Sequence, residues 1–143
     1  MIKQRLKYSE LSPAPFKGML NVLAGLEKGT LDKTIIELVF MRVSQINGCA
    51  FCLDMHGKAL REAGFDNAKL DTLAGWRVSH AFSERERAAL EWAEAVTLIT
   101  TSGTPNSVFD SLKAHFSDAE ISDLTFAISI MNAFNRLAIS LRQ

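Results

Sequence analysis

The chain has 143 residues, 48% of them apolar, with 16 basic and 16 acidic side chains and no formal net charge. This is the size of one domain around one core, spanning 1–143, and it is too apolar for a disordered segment. No basic excess marks a nucleic-acid partner, and no Lys/Arg run marks a membrane surface.

The opening stretch MIKQRLKYSELSPAP carries positive charges without an apolar run or a cleavage pattern, so it does not read as a secretory leader. Cytoplasmic residence is the expectation. Pro13 and Pro15 suit the start of a first helix with an apolar stripe of Phe16, Met19, Leu20, Leu23 and Leu26, closed by Gly29. Asp32 suits the cap of a second helix. Its Ile35, Ile36, Leu38, Val39, Met41, Val43 and Ile46 cover most of the circumference, which predicts deep burial. Asn47-Gly48 breaks it. A third helix runs from about Cys49 to Ala63, capped by Gly64, and a short one follows Asp66 through Leu70 and Leu73.

Ser83 with Glu86 makes a capping box for a long helix carrying Ala89, Leu90, Trp92, Ala93, Val96 and Leu98. VTLIT, from Val96, has strand composition but continues the helical pattern. TSGTPNS is a loop. Pro105 then takes a first helical position ahead of Val108, Phe109 and Leu112, and a second capping box, Ser117 with Glu120, opens a last helix to about Leu141. The window LTFAISIMNAFNRLAISL is interrupted by Asn132, Asn135 and Arg136, a poor membrane span and a good buried or interface helix. The expected fold class is all-α, with six to eight helices. The apolar faces of the second and last helices exceed what one chain of this size covers, which predicts a homo-oligomer.

Both cysteines of the chain lie in NGCAFCLDMHGKALREAG, from Asn47 to Gly64. Cys49, Cys52 and His56 stand at i, i+3 and i+7, on one helical face. Helical residues three apart have Cα atoms about 5 Å apart, within reach of a disulfide. At a helix N-terminus the dipole and free N–H groups stabilise the Cys49 thiolate, and His56 can accept or relay a proton. These are the parts of a dithiol redox catalyst. Two alternatives stand beside it. Cys49, Cys52 and His56 could be three zinc ligands, although a structural site needs a fourth from elsewhere and one regular helix wraps a tetrahedral ion poorly. The cysteines could also simply fill a core helix.

Glu37 lies in the apolar run IIELVFMRVSQING, where burying a carboxylate is costly unless it is paired. It either meets Arg42 or a lysine at a surface, or faces His56 and orients the imidazole. His80 reads as a surface or linker residue and His115 as a helix-end residue, Trp76 and Trp92 as core or interface anchors, and Met41, Met55 and Met131 as packing rather than a binding surface. Asp54 is expected to face solvent. Asn135 and Arg136 suggest a buried hydrogen bond or a subunit contact.

The segment ELVFMRVSQINGCAFCLDMHGKALREAG, with Glu, eleven residues, Cys, two residues, Cys, three residues and His, resembles the core of the alkylhydroperoxidase D-like branch of the carboxymuconolactone decarboxylase superfamily. A looser likeness extends to SERERAALEWAEAVT and NRLAIS. The resemblance implies an all-helical fold and assembly as homotrimers or homohexamers. It implies a cytosolic peroxidase or disulfide oxidoreductase that reduces a hydroperoxide and is recharged by a dithiol or a lipoyl-bearing protein, with no metal, flavin or haem cofactor. Cys52 would attack the peroxide and pass through a sulfenic acid. Cys49 would deprotonate it and resolve it as the Cys49–Cys52 disulfide. His56 and Glu37 would draw a proton from Cys49. The best-known enzyme type carries a further histidine between the cysteines, where this chain has Phe51. An oligomeric thiol sensor and a decarboxylase-type enzyme are the alternative functions.

Overall fold

The computed structural model describes residues 1–143. It is 76% helical and contains no strand. Nine α-helices follow in order: α1 (Tyr8–Leu11), α2 (Pro13–Lys28), α3 (Lys33–Asn47), α4 (Ala50–Glu62), α5 (Asn67–Asp71), α6 (Glu84–Thr97), α7 (Ile99–Ser102), α8 (Asn106–Lys113) and α9 (Asp118–Leu141). A 3₁₀ segment, Leu73–Val78, separates α5 from α6. The all-α class therefore stands, with ten helical segments rather than the expected six to eight. The surplus comes from pieces too short to show a helical period. Helices α1 and α7 have four residues each and bury none of them.

Helix α3 is the centre of the bundle. It packs against α4, α6 and α9, and α9 also packs on α2 and α6. The apolar circumference of α3 explains this: Leu38, Val39 and Val43 are fully buried and Ile35, Ile36 and Phe40 nearly so. The main core joins α3, α6 and α9 through Val39, Ala89, Ala93, Leu124 and Ile128. A second cluster of Leu38, Leu60, Leu73, Trp76 and Leu90 seats α4 and the 3₁₀ segment on the other side of α3. By length and composition α9 is apolar enough to cross a membrane, with mean hydropathy 1.3 over its best window, despite the interrupting polar residues. Part of its apolar surface faces the core, where Leu124, Ala127 and Ile128 are fully buried, while Phe126 and Ile139 are exposed.

Helix ends follow local chemistry. Ser83 and Glu86 form a complete capping box on α6, and Ser117 and Glu120 form one on α9. Asp66 caps α5 by accepting the Ala68 N–H at 2.7 Å. Three expectations shift. The TSGTPNS stretch is loop only from Gly103 to Pro105, since Thr101 and Ser102 lie in α7 and Asn106 and Ser107 open α8. Pro105 is the N-cap of α8, one residue outside the helix. The VTLIT stretch is helical but broken at Leu98, which closes α6 and opens α7. The Ser102 hydroxyl folds back there onto the Ala95 carbonyl at 2.5 Å.

Candidate active site

The site begins where α3 ends. Gly48 takes a left-handed conformation at φ 74°, which glycine adopts without a Cβ penalty. The turn hangs from one acceptor: the N–H groups of Gly48 and Cys49 both donate to the Ser44 carbonyl, at 2.9 and 3.0 Å. Ser44 is held in turn by a buried amide knot. Asn135 is fully buried and donates to the Ser44 hydroxyl at 3.1 Å. Asn47 donates to the side-chain oxygens of both Asn132 and Asn135 at 3.0 Å, and Asn132 donates to Thr97 at 3.0 Å. Asn135 thus makes the buried hydrogen bond expected of it, while Arg136 is exposed and folds back on Asn132 of its own helix.

Cys49 follows as the N-cap of α4, and its sulfur accepts the Cys52 N–H at 3.3 Å. Cys49 and Cys52 are joined in a disulfide, with Cα atoms 5.3 Å apart, and the two residues are 1% and 2% exposed. His56 lies one turn further along α4, 4% exposed, against the Phe40 ring at 5.2 Å between centroids. Its Nδ1 is 2.9 Å from Glu37 Oε2. The other ring nitrogen, Nε2, is buried and has no partner within the protein. With the proton of Nδ1 engaged by the carboxylate, Nε2 is left to accept or donate towards whatever enters.

Arg42, the alternative partner for Glu37, is occupied elsewhere. It donates to Glu94 through Nε and Nη2, at 3.0 and 2.9 Å. Glu94 also accepts from the Trp76 indole at 2.8 Å and from Arg77 at 2.9 Å. Burial pushes the Glu94 carboxyl up, but the hydrogen bonds from Trp76, Arg42 and Arg77 outweigh it and hold the group below its ordinary range. Glu37 is thereby free for His56.

A cavity of about 260 Å³ opens on this constellation. Cys52 and His56 line it together, and its walls are mostly apolar: Phe16, Leu20 and Leu23 from α2, Phe51 and Met55 from α4, Met131, Phe134 and Ala138 from α9. Tyr8 and Gln143 add a polar edge, joined by a hydrogen bond of 2.5 Å from the phenol to the side-chain oxygen. Burial raises the pKa of the Tyr8 phenol. A larger open groove of about 640 Å³, between α8 and α9, holds none of these chemical groups.

All four predicted residues, Glu37, Cys49, Cys52 and His56, therefore fall in one place. His80 is exposed, His115 lies beyond α8, and Asp54 is exposed and paired with Lys58 at 2.7 Å. In the oxidised state of the pair the two sulfurs are bonded to each other rather than open as ligands beside His56. Met131 packs in the main core as expected and also borders the cavity, whereas Met55, expected to be packing, is exposed and lines it. For Met55 the spacing from Cys52 was a usable signal: Phe51, Cys52, Met55 and His56 form one helical stripe. Tyr8 and Gln143 had no local signal, since only the tertiary fold brings them there.

Residues 13–95 match the carboxymuconolactone decarboxylase family. The uncharacterized protein YdfG of Bacillus subtilis is 33% identical over 140 residues, covering 98% of this chain and 95% of that protein. The alkyl hydroperoxide reductase AhpD of a Bradyrhizobium strain is 36% identical over 63 residues, which cover 44% of this chain and 33% of that enzyme. Among solved structures, a protein of unknown function from Agrobacterium tumefaciens superposes with a TM-score of 0.95 at 40% identity, covering 99% of this chain and 97% of that one. An uncharacterized peroxidase-related protein from Ralstonia eutropha with an alkylhydroperoxidase AhpD core gives a TM-score of 0.81 at 25% identity, covering 94% of this chain and 72% of that one. With the Glu–Cys–Cys–His pattern and its geometry in place, the chain belongs to the carboxymuconolactone decarboxylase family, as one of its AhpD-like members.

Proposed function

We propose that the protein is a dithiol peroxidase that reduces organic hydroperoxides through Cys49 and Cys52, with His56 and Glu37 as its proton relay. The observation that carries this reading is that Cys52 and His56 line one apolar cavity, with His56 held at Nδ1 by Glu37 and unpartnered at Nε2.

In the reduced enzyme the Cys52 thiolate attacks the terminal oxygen of the hydroperoxide. The O–O bond breaks, Cys52 becomes a sulfenic acid, and the alkoxide takes a proton from His56 Nε2 to leave as alcohol. The Cys49 thiolate then attacks the Cys52 sulfur, expels the oxygen as water after protonation, and closes the disulfide. Two electrons have passed from the thiol pair to the peroxide. An external dithiol returns them. As N-cap of α4, Cys49 is set up to persist as a thiolate, because the helix dipole and the Cys52 N–H both favour the anion.

Cytoplasmic residence and a single domain over 1–143 belong to the same proposal, as does assembly into homotrimers or homohexamers. Exposed Leu98, Ile99 and Phe126, none of which lines the cavity, support the last of these. Steady-state consumption of cumene hydroperoxide with a dithiol tests the reading. Wild type should turn over, and Cys52→Ser should not. A thiol sensor would react once and stop. A decarboxylase-type activity would survive removal of both cysteines.

A further inference from the structure

We infer that the redox pair is served through two separate openings, with hydroperoxide reaching Cys52 and a dithiol reductant reaching Cys49. This rests on the redox reading above and adds the route by which the second substrate arrives.

Each sulfur belongs to its own concavity. Cys52 lines the apolar cavity with His56, and Cys49 does not. Cys49 instead lines a cleft of about 420 Å³ with Gly48, Ala50, Ile139 and Arg142, which Cys52 does not reach. Phe51, Ala138 and Gln143 line both and so form the wall between them. Ala138, itself buried, packs on the two cysteines. At 1% and 2% exposure, neither cysteine meets bulk solvent directly, so an attacking group must come through the concavity that each one lines.

The two openings differ in chemistry. The Cys52 cavity has no Lys, Arg, Asp or Glu in its lining, so it favours an uncharged apolar body over an anion. The Cys49 cleft has one, Arg142. The attacking species in disulfide exchange is a thiolate, which a guanidinium attracts and stabilises. The reductant thiolate forms a bond to the Cys49 sulfur, and the Cys49–Cys52 bond breaks with its electron pair leaving on Cys52. That thiolate faces His56, which supplies the proton from Nε2. The second thiol of the reductant then attacks its own sulfur in the mixed disulfide and releases Cys49 at the N-terminus of α4. Two electrons and two protons pass to the pair, and the reductant leaves as a disulfide.

The test starts from oxidised protein and follows the appearance of thiols by rapid-quench alkylation, with dithiothreitol and dihydrolipoate as the probes. Ala50→Trp and Ile139→Trp fill the cleft from α4 and from α9. Leu20→Trp fills the cavity only. Reduction should slow at least about tenfold in both cleft variants and by no more than about twofold in Leu20→Trp. Arg142→Gln should slow dihydrolipoate more than dithiothreitol and flatten its salt dependence. Slowing by Leu20→Trp alone, equal slowing by all three, or slowing by none would overturn the two-opening inference. Because the assay begins at the disulfide, it is independent of the oxidant. A failure of the peroxidase reading would show separately, as thiols that survive hydroperoxide.

Discussion

Replacing Asn135 with Ala should destabilise the protein by about 2–4 kcal/mol, through Ser44. Asn135 is fully buried, and its bonds to the Asn47 amide at 3.0 Å and the Ser44 hydroxyl at 3.1 Å are lost with it, along with a weak contact to the Met131 sulfur at 3.4 Å. Asn47 keeps Asn132 as a partner, so that loss costs the net worth of one hydrogen bond, about 1 kcal/mol. Ser44 has no other side-chain partner and is itself fully buried. Orphaning its hydroxyl adds about 1–3 kcal/mol. The double variant Ser44→Ala/Asn135→Ala removes the orphan, so its cost should fall short of the sum of the single variants by about 1–2 kcal/mol. The assay is urea unfolding at fixed protein concentration with the disulfide reduced throughout. Additive single costs would refute the argument that Ser44 depends on Asn135.

Glu37→Gln should slow oxidation of the thiol pair on the order of tenfold, a part of what a positioned acid–base group supplies. Its pH profile of thiol alkylation should move while the unfolding midpoint stays; an unmoved profile would leave Glu37 a purely structural partner of His56. Glu94→Gln should cost about 1–2 kcal/mol, towards the low end because the network is partly solvated. The Glu94 carboxyl is held below its ordinary 4.5 in the fold, so its contribution is complete above that pH and is lost as pH falls through the lower folded value. Acid unfolding should therefore be shallower in Glu94→Gln than in wild type, and parallel curves would contradict the assignment. Sedimentation should find the protein larger than a monomer, and a clean monomer would remove the assembly proposal.

The candidate site was legible in the sequence where one helix carries it. Cys52 and His56 share a face of α4 by the helical period, and Cys49, expected on the same face, sits instead just ahead of the helix as its extended N-cap. Glu37 was half legible. Its apolar setting showed that it needs a partner, but the choice between Arg42 and His56 was made by Glu94, 52 residues from Arg42 in the chain. The capping boxes at Ser83 and Ser117 set the starts of α6 and α9 because both partners lie within one turn. The 3₁₀ segment and α1 were invisible because four to six residues cannot display an apolar stripe. The cavity was the least legible part. Its walls come from α1, α2, α4, α9 and Gln143, and only the packed bundle brings them to Cys52.

The most direct test of the account is a thiol count by mass-shift alkylation on reduced protein, before and after one equivalent of cumene hydroperoxide. Wild type should lose both thiols together as the Cys49–Cys52 disulfide, and Cys52→Ser should form no disulfide. Two thiols that survive the peroxide unmodified in wild type would contradict a peroxide-reactive pair and return α4 to a structural role.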